Sequence, residues 1–207
     1  MANNIFLTGT ISSKVKPEYE IQSGEIVYGF DIESVRKSGN TDCLPCYIPS
    51  GIMPDELYQY DRISIVGEIR TRNVIRSDGR KGLDIYVWVM EFDFADKNSL
   101  DVNKVEIDGY TCREIHERLT ALENREIADV LIASTRRSGK SDYIPCIVWG
   151  RMSKLASRFS IGTHLYVEGR MQSRNYVKKI SDTEEEERVA YEVSIKRVEV
   201  YEKNEEN

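Results

Sequence analysis

Apolar and polar residues alternate with a period of two along much of the chain. Ile63-Ser64-Ile65-Val66-Gly67-Glu68-Ile69 alternates in this way, and so does Leu165-Tyr166-Val167-Glu168-Gly169-Arg170-Met171. Successive strand side chains point to opposite faces, so such runs predict strands with one buried face. Tyr191 to Val200 is a further alternating, β-branched run, and Leu83 to Phe94 is its earlier counterpart. Ser77-Asp78-Gly79 marks a turn between strands. A helical period is clearest at Met152, Leu155, Ala156 and Phe159, which fall at i, i+3, i+4 and i+7. This predicts one short amphipathic helix, closed by Gly162; Ile52 to Tyr58 fills the same slot earlier in the chain. Ile115, Leu119 and Leu122 also have helical spacing. Ile127-x-x-Val130-Leu131-Ile132 must follow as a strand, however, so the segment is expected to be a long hairpin turning near Glu123-Asn124.

The pattern occurs twice. Arg36-Lys37-Ser38-Gly39-Asn40-Thr41-Asp42-Cys43-Leu44-Pro45-Cys46 matches Arg136-Arg137-Ser138-Gly139-Lys140-Ser141-Asp142-Tyr143-Ile144-Pro145-Cys146 at an offset of 100 residues. Asn3-x-Ile5-x-Leu7-x-Gly9 matches Asn103-x-Val105-x-Ile107-x-Gly109 at the same offset. Gly67-Glu68-Ile69-Arg70-Thr71-Arg72-Asn73-Val74 matches Gly169-Arg170-Met171-Gln172-Ser173-Arg174-Asn175-Tyr176 at an offset of 102. Three collinear matches imply two homologous units, 1–95 and 103–202, joined through the short polar stretch from Ala95 to Val102. Three strands, a short helix and two strands in about 100 residues describe a five-stranded OB barrel. The expected fold is all-β, two tandem OB-fold barrels, each with a short helix between its third and fourth strands.

Composition narrows the class. With 40% apolar and 31% charged residues, the 207-residue chain can bury a core. No run of eighteen apolar residues predicts a membrane span, and Met1-Ala2-Asn3-Asn4 opens no secretory signal. Four scattered cysteines, Cys43, Cys46, Cys112 and Cys146, suit reduced thiols in a cytoplasmic protein rather than a disulfide framework. The net charge of −6 does not advertise a polyanion partner, but its distribution does. Between Ser134 and Lys179 ten basic residues face only Asp142 and Glu168. These are Arg136, Arg137, Lys140, Arg151, Lys154, Arg158, Arg170, Arg174, Lys178 and Lys179. Aromatic residues interleave with them, the combination expected of a nucleic-acid groove. The acidic run Glu184 to Glu187 lies beyond, expected as a loop between the last two strands.

Asp142-Tyr143-Ile144-Pro145-Cys146-Ile147-Val148-Trp149-Gly150-Arg151 resembles the third strand of bacterial single-stranded DNA-binding proteins. Leu155-Ala156 and Gly162 fit that family's helix and its end. Val167-Glu168-Gly169-Arg170-Met171-Gln172-Ser173-Arg174-Asn175-Tyr176 resembles its fourth strand, at the right distance and in the right order. The resemblance covers roughly Asn103 to Tyr201 and reaches the first unit only through the internal repeat. Paired units of this kind look like a clostridial-type branch of the family. By this resemblance Tyr143, Trp149 and Tyr176 are base-stacking residues, while a further family aromatic falls near Ser138 and is missing here. The resemblance and the charge pattern together make Arg136, Arg137, Lys140, Arg151, Lys154, Arg170, Arg174, Lys178 and Lys179 phosphate contacts. Strand parity agrees: Tyr143, Ile147 and Trp149 share one face, and Ile144, Cys146 and Val148 make the better core face.

The first unit departs at each stacking position, with Cys43 for Tyr143, Pro49 for Trp149 and Val74 for Tyr176. Arg36, Lys37, Arg70 and Arg72 remain. This unit is therefore expected to have lost most base stacking and to serve assembly. Cys43-Leu44-Pro45-Cys46 has C-x-x-C spacing, but it lies in a strand without a second ligand pair, which suits neither a zinc site nor a redox helix. Ser138-Gly139-Lys140-Ser141 looks like the end of a phosphate-binding loop but lacks the upstream glycine. His116 and His164 join no triad. No catalytic residue, metal or cofactor is expected.

The expected function is sequence-tolerant binding of single-stranded DNA in replication, repair or recombination. The rival readings are a primosome-type OB adaptor between proteins with secondary DNA binding, and a nuclease, for which no carboxylate cluster stands out. Family members usually present four OB units, which implies a homodimer. The family's recruiting tail ends in an acidic, Pro-containing hydrophobic tip. The sequence Tyr201-Glu202-Lys203-Asn204-Glu205-Glu206-Asn207 has no such tip, so recruitment of replication proteins by that route is not expected.

Overall fold

The computed structural model describes residues 2–76, 79–120, 124–179 and 185–201, apart from the side chains of residues 178 and 179. Twelve strands and one helix follow one another along these residues: β1 (Asn3–Ile11), β2 (Lys16–Glu20), β3 (Ile26–Val35), β4 (Thr41–Pro49), β5 (Arg62–Ile75), β6 (Lys81–Phe94), β7 (Val102–Thr111), β8 (His116–Leu119), β9 (Glu126–Thr135), β10 (Ser141–Trp149), α1 (Arg151–Ala156), β11 (His164–Lys179) and β12 (Glu185–Val200).

Strand pairing closes two rings. In the first, β1 pairs with β3, β3 with β4, β4 with β6 in parallel, β6 with β5, and β5 with β1. In the second, β7, β9, β10, β12 and β11 close in the same order, again with one parallel pair, β10–β12. Each ring is a five-stranded OB barrel. The short strands β2 and β8 extend the first hairpin of each barrel outside the ring. The segment 116–135 is thus a hairpin, as expected; Asn124, at φ 48°, lies in its turn, and Glu123 lies outside the described residues. So do Ser77 and Asp78, while Gly79 adopts φ 75° and donates to the Arg76 carbonyl.

The inward parity follows the alternation. Leu44, Cys46 and Ile48 are buried on β4, and Ile144, Cys146 and Val148 on β10. In each barrel the ladder between the two long strands carries one bulge opposite a repeated glycine, between Val66 and Gly67 and between Glu168 and Gly169. A Cβ at these glycines would collide with the carbonyl oxygens of Trp88 and Ser194, which is why the repeat keeps glycine there.

The sequence expectation fails at the first helix. Residues 50–61 form turns in the first barrel, with Leu57 buried as a plug. Pro54 lies inside this segment; it lacks an N–H and disfavours helix at the preceding residue. In the second barrel the helix is short, and its buried face is Ser153 and Ala156 with Met152 and Phe159 packed on the core. Leu155, expected on that face, is 48% exposed. The acidic run is not a loop where it is described: Glu185, Glu186 and Glu187 lie in β12 opposite Lys179, Lys178 and Val177.

The barrels join edge to edge. β1 pairs antiparallel with β7 from Asn3↔Ile107 to Thr8↔Val102, merging both rings into one sheet. The connecting residues 95–101 are pinned rather than loose. The Arg62 guanidinium donates to the Ser99 carbonyl and pairs with Asp101, whose other oxygen accepts from Val35 N–H at 2.6 Å.

Candidate nucleic-acid interface

The outer face of the second barrel is built from β10, β11 and β12. Tyr143 projects from it and is 49% exposed. Its backbone is fixed from the other barrel, because Tyr143 N–H donates to Thr71 Oγ1 at 3.1 Å. Trp149 lies on the same face, partly buried, with its indole Nε1–H donating to Ser194 Oγ at 3.1 Å across the parallel β10–β12 pair. Ile147, between them, is 3% exposed. Tyr176 is partly buried on β11, and the Arg174 guanidinium stands 5.6 Å from its ring centre. A groove of about 560 Å³ runs between the barrels. Tyr176 and Pro145 line one side, Pro45, Tyr47 and Tyr86 the other, with Tyr191 beside them. Burial pushes the Tyr191 hydroxyl up to about 12, so it is neutral at physiological pH.

The cations divide into three groups. Arg137 and Lys140 are exposed in the β9–β10 turn, closed by Gly139 at φ 84°, and have no ion-pair partner among the described residues. Arg151 is exposed at the start of α1. Arg174 is 51% exposed at its side chain and 3.8 Å from Glu192, while Lys154 pairs with Glu126 at 2.9 Å. These charges can exchange partners in water. Lys178 and Lys179 continue β11, but their side chains lie outside the described residues.

Arg136 is different. Its guanidinium forks onto both oxygens of Asp142, a carboxylate with no exposure. Asp142 also accepts from Thr71 N–H at 2.7 Å. The hydrogen bonds to Asp142 raise the Arg136 pKa and orient its donors inward. The repeat-related Arg36 is bound to buried Asp42 in the same way, and Asp42 accepts from Ser173 N–H at 2.9 Å. Arg136, expected from sequence to meet phosphate, is thus engaged, like Arg36, with a buried carboxylate that reaches across to the other barrel. The signal was present: Arg and Asp six residues apart recur in both repeats, across a hairpin turn. Arg170 is half-way between these cases. It donates to Gln172 at 3.0 Å, its buried Nε has no hydrogen-bond partner, and burial and then Arg36 lower its pKa. It lies at the barrel junction.

The thiols offer no site chemistry. Cys43 and Cys46 point to opposite faces of β4, and all four cysteines are free. Among the described residues no three His, Cys, Asp or Glu side chains gather to hold a metal.

Comparison with solved structures places this fold beside the wild-type single-stranded DNA binding protein from Thermus aquaticus. The TM-score is 0.77 at 18% identity, covering 100% of this chain and 96% of that one. A deletion variant of that protein matches with a TM-score of 0.72 at 19% identity, over 98% of this chain and 96% of that one. These likenesses concern the tandem-barrel fold. A comparison with curated protein sequences finds no match. The sequence pattern of the single-strand binding protein family matches residues 102–201, the span of β7 to β12 and of the aromatic face just described. Over that span the second barrel is thus similar to the single-strand binding protein family.

Proposed function

We propose that the protein binds single-stranded DNA without sequence preference and without catalysis, through the outer face of its second barrel. The observation that carries this reading is the position of Tyr143, Trp149 and Tyr176. All three leave the barrel on the side away from its core and keep part of their rings accessible. Unpaired bases present π faces to such rings, and each stack contributes about 1–3 kcal/mol. Arg137, Lys140, Arg151 and Arg174 lie on exposed segments around this face, where they can follow phosphates and release counterions. Lys178 and Lys179 extend the same strand. Arg136 is assigned to the fold, because moving it to a phosphate would leave Asp142 buried and unpaired.

A duplex hides its base faces, so the proposal predicts discrimination by strandedness. Titrating oligo-dT and a duplex of equal length against intrinsic fluorescence tests it. Tight, salt-sensitive quenching by oligo-dT and weaker binding of duplex are expected. Equal affinity for both, or none for oligo-dT, contradicts the assignment. Family likeness further supports a homodimer of four barrels and a role in replication, repair or recombination as part of this proposal.

A further inference from the structure

The first barrel lacks aromatics at the three positions where the second barrel has them, yet its outer face is not bare. Strand register shows what fills it. Gly67 pairs with Val89 in the first barrel, and Gly169 pairs with Ile195 in the second. Trp88 therefore corresponds to Ser194, and Tyr86 to Glu192. On the neighbouring strand, Tyr47 corresponds to Ile147 through the repeat. In the second barrel the indole of Trp149 reaches across to Ser194. In the first barrel an indole starts instead from β6, the counterpart of the strand that carries Ser194, at Trp88. The aromatic surface has been moved one strand over, with Tyr47 and Tyr86 added beside it.

Tyr86 is buried, but Tyr47 and Trp88 are not core. The core parity of the same strands is Leu44, Cys46 and Ile48 on β4 and Ile85, Val87 and Val89 on β6, all buried. Tyr47 and Trp88 sit on the opposite parity and remain partly exposed. Tyr86 is packed edge-on beneath Tyr47, with ring centres 4.8 Å apart. Cations accompany them. The Arg70 guanidinium lies 4.4 Å over the Trp88 ring, and Arg72 stands about 6 Å from the rings of Tyr19, Tyr47 and Tyr86. Arg70 pairs with Glu68 at 3.0 Å and Arg72 with Asp84 at 3.3 Å. The Arg72–Asp84 pair is the accessible one and contributes little, so a phosphate can replace its carboxylate at small cost, whereas Arg70 and Glu68 are mostly buried and Arg70 stays over the Trp88 ring. Finally, Tyr47 and Tyr86 line the same inter-barrel groove as Tyr176.

We propose that the first barrel carries a second single-stranded DNA platform, in which Tyr47 and Trp88 stack bases and Arg72 takes phosphate. The groove shared with Tyr176 joins it to the first platform, so one strand passes over both barrels. This replaces the sequence expectation that the first barrel serves assembly alone, and it rests on the DNA-binding reading of the second barrel.

The chain has two tryptophans, one on each platform, so each can be made a private reporter. Trp149→Phe leaves only Trp88 emitting, and Trp88→Phe leaves only Trp149. Oligo-dT long enough to span both barrels is titrated into each full-length variant. Quenching of both reporters over the same concentration range supports the proposal. Quenching of Trp149 with unchanged Trp88 emission overturns it and leaves the second-barrel assignment standing. Quenching of neither overturns both. Tyr47→Ala, which carries no reporter, is expected to weaken binding of the long oligonucleotide by about five- to 150-fold, with Tyr47→Phe restoring it. Unchanged affinity in Tyr47→Ala also overturns the proposal.

Discussion

Ile5 stands opposite Val105 in the β1–β7 ladder, and the two are each other's counterparts in the internal repeat. A pseudo-twofold axis therefore passes between them. The same axis relates the two buried carboxylates that cross between barrels. Asp142 accepts from Thr71 N–H and Asp42 from Ser173 N–H, while Tyr143 N–H and Cys43 N–H donate back to the hydroxyls of Thr71 and Ser173. One chain reproduces an isologous interface of the kind that two copies of a single barrel would make.

This arrangement makes Asp142 a structural residue. Asp142→Ala leaves the Arg136 guanidinium partly buried without its carboxylate and removes the acceptor for Thr71 N–H. Breaking a buried pair from one side costs about 3–5 kcal/mol. Chemical denaturation is expected to show a loss of that order, whereas removal of an exposed carboxylate such as Asp84 is expected to cost about 1 kcal/mol or less.

The division of the cations gives opposite signatures. Arg137→Ala and Lys140→Ala should leave the melting temperature unchanged. Each should reduce the slope of log K against log salt for oligo-dT by about 0.7, one phosphate contact on a single strand. Arg136→Ala should lower the melting temperature and leave that slope unchanged. Salt titrations of the three variants beside their thermal melts check both halves.

Burial raises the Cys46 and Cys146 thiols well above their ordinary range and raises Cys43 and Cys112 to a lesser degree. The thiolate is the reactive form. At pH 8 all four are therefore expected to alkylate more slowly than a free cysteine, with Cys46 and Cys146 protected until the chain unfolds. Mass spectrometry after timed iodoacetamide exposure, with and without denaturant, checks the order. Fast labelling of Cys146 in the folded protein would contradict the buried assignment.

Gly169 sits opposite the bulge in β12, where a Cβ would meet the Ser194 carbonyl. Gly169→Ala is expected to destabilise the protein by about 1–3 kcal/mol. Because Ser194 also holds the Trp149 indole, the substitution should shift the Trp149 emission as well. Circular dichroism melts and emission spectra of the Trp88→Phe background test both effects.

Much of the fold was legible because the second barrel's parity and the internal repeat are local signals. Ile144, Cys146 and Val148 separated from Tyr143 and Trp149 by alternation alone, and the repeat placed two barrels in tandem. Interactions between distant segments were not legible. Nothing near Arg136 in sequence says that Thr71 completes the Asp142 site, so a structural ion pair read as a phosphate contact. The first helix failed for a local reason that could have been weighed, Pro54. The aromatics of the first barrel are not legible position by position along one strand. Trp88 fills the place of Ser194 on the adjacent strand, a correspondence that only register reveals.

Single-stranded DNA binding by the second barrel requires the ring of Trp149 to meet bases. Trp149→Ala and the wild type, titrated with oligo-dT at several salt concentrations and followed by anisotropy of a labelled oligonucleotide, test this directly. A loss of about 1–3 kcal/mol in binding, with an unchanged salt slope, is the predicted result for one lost stack. Wild-type affinity in Trp149→Ala would contradict the account.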